Sequence, residues 1–148
     1  MADPLRDGTG LAWIAGHTWA YPALESVHLV GVALLVGNLV AFELRVWGRV
    51  ADLPVRALAR LSLAVALTGF AVAALSGTLM FASQPGELLA NRAFLVKMGL
   101  LLLAGTNAAL FHARDGLRKL DGWARAQTAL STGLWIAVII CGRWIAYQ

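Results

Sequence analysis

Charge is what this chain has least of. Of its 148 residues only 14% are charged and 59% are hydrophobic, against about 25% charged in an ordinary soluble domain. Stretches 26–42, 61–86, 98–113 and 126–142 contain no Asp, Glu, Lys or Arg at all. Each approaches or exceeds the ~17 to 25 residues that a membrane helix needs. A water-soluble bundle needs a polar face on each helix, and none of these stretches has a polar stripe. Cysteine is almost absent too: Cys141 stands alone, so no disulfide forms within the chain and the redox compartment is not readable. No Cys-x-x-Cys, glycine-rich phosphate loop, Gly-x-Ser-x-Gly or His-Glu-x-x-His occurs. Hydrolase and nucleotide chemistry therefore have no support, and nothing in the sequence decides whether the protein is an enzyme.

What is there predicts an all-α fold: four transmembrane helices running up-down-up-down as one integral membrane domain over 1–148, preceded by a short interfacial segment. The expected spans are 23–46, 58–83, 92–113 and 124–146. Residues 9–20 carry Trp13 and Trp19, and with Tyr21 these rings suit the headgroup level. Pro22 fits the first turn of the first helix and Gly48 its end. Pro54 fits the start of the second, and Asn91 is placed to cap the third. The N-terminal Met1, Ala2, Asp3, Pro4, Leu5, Arg6, Asp7 is too acidic for a cleavable signal, which leaves the first span as an uncleaved targeting element.

The net charge of +4 and pI near 10.0 do not point to nucleic acid, because basic residues here cluster by loop. Arg45, Arg49, Arg56 and Arg60 follow the first span, and Arg114, Arg118, Lys119 and Arg125 follow the third. The opposite side has Arg6, Arg92, Lys97 and Arg143. By the positive-inside rule the two basic loops are cytoplasmic and both termini lie outside.

The few ionisable residues in the spans fall into two levels. Glu25, His28, Lys97, Arg143 and Tyr147 gather toward the outer face, the first four at roughly 9 to 14 Å from the midplane by helical rise. Charges at such depth usually face the bundle interior and have partners. Two readings stand: a polar pocket between adjacent first and fourth helices, or long side chains snorkelling to the interface. Nearer the cytoplasm lie Asn38 and Asn107, then Glu43, Arg45 and His112. Hydrogen-bonding asparagines and a Glu43–arginine ion pair are the simplest roles there.

The histidines bear on cofactors. His28 and His112 are roughly 20 Å apart along the axis, too far to clamp one b-type haem. His28 could pair with His17 if residues 9–20 fold back, or with Met98. Met98, Met80 and Cys141 share its level, a soft set suited to Cu(I). Small residues recur four apart as Ala33/Gly37/Ala41, Gly69/Ala73/Gly77 and Gly133/Ala137/Cys141, which suits close packing within the bundle or in a homo-oligomer.

The run Pro22, Ala23, Leu24, Glu25, Ser26, Val27, His28, Leu29, Val30, Gly31 and the ending Gly142, Arg143, Trp144, Ile145, Ala146, Tyr147 resemble a family of small, uncharacterised bacterial four-span membrane proteins. Asn91/Phe94/Lys97 and Asn107/Phe111/His112 resemble it too. That resemblance covers nearly the whole chain and implies the bacterial inner membrane; the family brings no assigned activity. A looser likeness to the membrane portion of copper-resistance D proteins implies a metal or redox role. The leading expectation is thus an outward-facing site for haem b or copper in electron transfer, with His28 as first ligand and Glu25, Lys97, Arg143 and Tyr147 around it; His112 and Met98 are further metal candidates. The alternatives are a non-catalytic subunit docked in a larger membrane complex, and a conduit for a metal or small solute.

Overall fold

The computed structural model describes residues 10–147; the acidic N-terminal stretch with Arg6 lies outside them. Short helix α1 (Ala12–Gly16) precedes four long helices and two short ones: α2 (Ala20–Val46), α3 (Val55–Ser83), α4 (Pro85–Ala90), α5 (Arg92–Ala113), α6 (Gly116–Lys119) and α7 (Gly122–Trp144), the last continued by a 3-10 turn, Ile145–Tyr147. There is no strand among the described residues. The four long helices are each long and apolar enough to cross a membrane, so this is a multi-pass membrane protein folded as an all-α four-helix bundle.

Local chemistry sets the boundaries. Pro22 sits in the first turn of α2, where its missing N–H costs no helical bond. Gly48 takes φ of 80° just after α2, the left-handed conformation that glycine adopts without strain. Pro85 opens α4 directly after α3 ends. Asn91 Oδ1 accepts from the Phe94 amide at 3.2 Å, as its position predicts, while its Nδ2 donates to the Ile145 carbonyl at 3.1 Å and ties α5 to the end of the chain. Asp121 caps α7 in the same way, 2.8 Å from the Ala124 amide.

The helices pack as two antiparallel pairs, α2 with α3 and α5 with α7, joined where α2 meets α7; α1 lies against α3. The α2–α3 crossing is backbone on backbone. A Cβ added at Gly69 would lie 2.6 Å from both the Gly31 carbonyl and the Leu35 amide, and one at Gly31 would lie 2.7 Å from the Ala73 amide. Gly69, Ala73 and Gly77 are thus the packing stripe of α3, but the α2 face opposite is not the expected Ala33/Gly37/Ala41. Ala33 and Gly37 are exposed, and a Cβ at Gly37 or Gly133 would meet open space. Helix α2 is rotated so that Gly31 and Leu35 face its partner.

The buried hydrophobic cluster to which all four long helices contribute lies at the end bearing the basic loops. Phe42 and Val46 of α2, Ala59 of α3, Phe111 of α5 and Ala124 of α7 form one buried cluster, with Trp47, Val55, Leu63, Leu117 and Leu120 around it. The Phe42 and Phe111 rings meet edge to face at 6.1 Å, a favoured aromatic geometry. Elsewhere the helices are largely uncovered: only 6% of the most apolar stretch of the last span is buried. Exposed Leu67, Leu75 and Leu102 are what a lipid-facing surface requires, since lipid is as apolar as leucine.

Candidate functional site

The level at the end opposite the basic loops, expected to face outward, draws on all four long helices, though not as one ion-paired network. His28 projects from α2 toward α3, where Nδ1 lies 2.8 Å from the Ala73 carbonyl and 3.2 Å from Ser76 Oγ. A carbonyl can only accept, so Nδ1 carries the hydrogen. Nε2 is left as the imidazole's free lone pair, with no hydrogen-bond partner among the described residues. Gly77 makes the room: a Cβ there would come within 3.2 Å of His28 Cε1. Lys97 is half-buried on α5 and lies over α7, its Nζ 3.3 Å from where a Cβ of Gly142 would be. It is close enough to act electrostatically on both His28 and Cys141. Two glycines on opposite helices thus clear space for an imidazole and an ammonium on the other two.

The remaining outer residues sit at the rim. Glu25 and Arg143 are exposed. Arg143 donates to the Tyr147 hydroxyl at 2.8 Å, its guanidinium over that ring at 5.1 Å. The ion pairs among the described residues are Arg114–Asp121 and Arg118–Asp115, both at 3.8 Å on the basic end. None joins Glu25 to Lys97 or Arg143, and α2 meets α7 through residues of the other end instead. Tyr21 accepts from Gln84 Nε2 at 2.9 Å, and Phe81 stacks on Phe94 at 5.6 Å, closing the outer end of α3 against its neighbours. His17 is held edge-on between Trp13 and Trp19, at 5.4 and 6.0 Å, and makes no contact with His28 among the described residues. Met98 is 36% exposed. No three His, Cys, Asp or Glu side chains converge in metal-binding geometry among the described residues.

The inner level holds the residue that sequence reasoning undervalued. Glu43 is only 2% exposed. Its carboxyl accepts a hydrogen bond from Thr132 Oγ1, with the Ser131 hydroxyl beside it, both on α7. The expected ion pair with arginine is not formed, because Arg45 turns away and gives Nε to the Leu53 carbonyl at 2.6 Å. One turn on, Trp47 Nε1 donates to Thr128 Oγ1 at 2.8 Å, extending the α2–α7 seam. Asn107 binds across helices, to the Gln127 carbonyl at 2.8 Å, whereas Asn38 bonds within its own helix to Leu34. His112 is exposed, at a shallow depression of about 300 Å³ shared with Arg56, Asp115 and Arg118. Compared with protein-family models, curated proteins and solved structures, the chain matches none.

Proposed function

We propose that this is a membrane redox protein that binds haem b at its outer level, where His28 Nε2 would hold the iron. One observation carries the reading: the Ala73 carbonyl holds Nδ1–H, which fixes the tautomer and aims the basic nitrogen away from the backbone. Ligating histidines are almost always oriented by such a bond through their other nitrogen. The Lys97 ammonium, within electrostatic reach, suits a propionate. Arg143, Tyr147 and Glu25 would form the polar rim. When bound, the haem would supply one-electron transfer between partners at this face. The chain offers one imidazole at this level, so His28 is the histidine that would hold the iron. Copper on His28 with Met98 is the related alternative.

Absorption spectra of the gently purified protein test this. The expected result is a Soret band that shifts on reduction, is lost in His28→Ala and is weakened in Lys97→Met. A colourless native protein that holds copper, lost in His28→Ala, would replace haem by the metal. A protein with neither, co-purifying stoichiometrically with a larger assembly, would instead support the docked-subunit reading, which the uncovered face of the last span favours. The same proposal places the chain in the bacterial inner membrane, among the small four-span proteins it resembles, with the basic loops in the cytoplasm. Cysteines introduced at 50–56 and 116–122 should then be blocked only by permeant thiol reagents; labelling from the periplasm would invert the topology and move His28 to the cytoplasmic side.

A further inference from the structure

We propose that Glu43 is a proton-binding acid, a second functional site at the opposite end of the bundle from His28. Glu43 is 2% exposed, on a helix long and apolar enough to span the membrane. Its partners are two neutral hydroxyls of α7, Thr132 and Ser131. The basic and imidazole groups at this end of the helices packed around Glu43 are Arg45 on α2, Arg56 and Arg60 on α3, His112 on α5 and Arg125 on α7, with Arg114, just after α5, engaged by Gln127 and Asp121. Arg45 is committed to the Leu53 carbonyl, and Arg56, Arg60, His112 and Arg125 are exposed. None forms an ion pair with Glu43 among the described residues.

An isolated carboxylate in such surroundings loses far more hydration than two hydroxyls return. Buried charges persist when paired, and Glu43 has no cation. The neutral acid, by contrast, is satisfied: one oxygen accepts from Thr132, and its own O–H can donate toward a neighbouring acceptor. The chemistry is reversible protonation of one carboxyl oxygen, with the proton delivered through the Ser131/Thr132 hydroxyl pair. Phe42, Val46 and Phe111 pack just below, which keeps water from the seam and makes the site depend on those hydroxyls. A purely structural tie between α2 and α7 would need only a hydrogen bond, which glutamine supplies without a titratable proton.

Infrared difference spectra of the native protein in liposomes, recorded between neutral and alkaline pH, read the site directly. The expected result is a protonated-carboxyl carbonyl band at neutral pH that disappears on alkalinisation. It should be absent in Glu43→Gln and shifted in Thr132→Val, which alters its hydrogen bond. Modification by an apolar carbodiimide, which attacks protonated carboxyls, should map to Glu43 at least tenfold above exposed Glu25 and Glu87 and fade as pH rises. A band unchanged by Glu43→Gln, or no such band at neutral pH, overturns the proposal. So does protection from the carbodiimide by sodium ions, which would make this a cation site. None of these readouts depends on haem or copper, so they stand apart from the test of His28.

Discussion

Gly69→Leu should separate α2 from α3 and leave the protein unable to hold its first hairpin. Even Gly69→Ala is expected to lower stability by about 2 kcal/mol, because overpacking a close contact typically costs about 1 to 3. The atoms in the way are the Gly31 carbonyl and the Leu35 amide, each 2.6 Å from the new Cβ. Both are backbone atoms inside a helix and cannot swing aside as a side-chain tip would. Relief therefore requires the helices to move apart, which also lengthens the His28 Nδ1 contact with Ala73 three to four residues away along the same seam. Gly37→Ala is the matched control: same helix type, open space around it, and an expected gain of roughly 0.5 to 1 kcal/mol from helix propensity. Thermal unfolding in detergent would compare them. Equal effects at Gly69 and Gly37 would mean that the crossing is not where the structure puts it.

How much of this was legible follows from what each signal encodes. Lipid imposes length and apolarity on every span, so the four long apolar helices could be read from uncharged runs. Relative level along a helix follows from its fixed rise. Rotation about the helix axis was not legible. On α2, Gly31, Ala33, Gly37 and Ala41 offer more than one small-residue face, and nothing in an all-apolar helix says which one turns inward. The same ambiguity grouped Glu25 with Arg143 by depth, although the structure turns both to the surface and leaves only His28 and Lys97 partly covered.

His28 was findable as a lone imidazole in an apolar run. Its anchor, a backbone carbonyl of α3, leaves no mark in the sequence. Glu43 is a different lesson. Arg45 stands two residues away, a spacing that points the two side chains to different faces of a helix, and this alone argues against an ion pair. Its true partners, Thr132 and Ser131, lie nearly ninety residues on and carry no recognisable spacing.

Phe111→Ala should be the most damaging single truncation in the protein, at about 3 to 5 kcal/mol, the range for a buried aromatic side chain. The ring sits where the two helix pairs meet: it faces Phe42 of α2 edge-on, is 6% exposed, and is roofed by Gly116 of α6, whose added Cβ would lie 2.7 Å from two ring carbons. Removing it leaves a void that lipid chains cannot enter from the surrounding helices, and loosens the one cluster to which all four long helices contribute. Leu102→Ala supplies the contrast, a larger-to-smaller change on a side chain 74% exposed to lipid, with little expected loss. The geometry also fixes a coupling. Gly116→Ala alone forces its methyl into the Phe111 ring, but in a Phe111→Leu background the smaller side chain yields the space. The second substitution should therefore cost at least 1 kcal/mol less in that background than alone, within the range seen for residues in contact. Additive losses, agreeing within about half a kcal/mol, would show that the α6 turn does not close over Phe111 and that the two helix pairs are joined some other way.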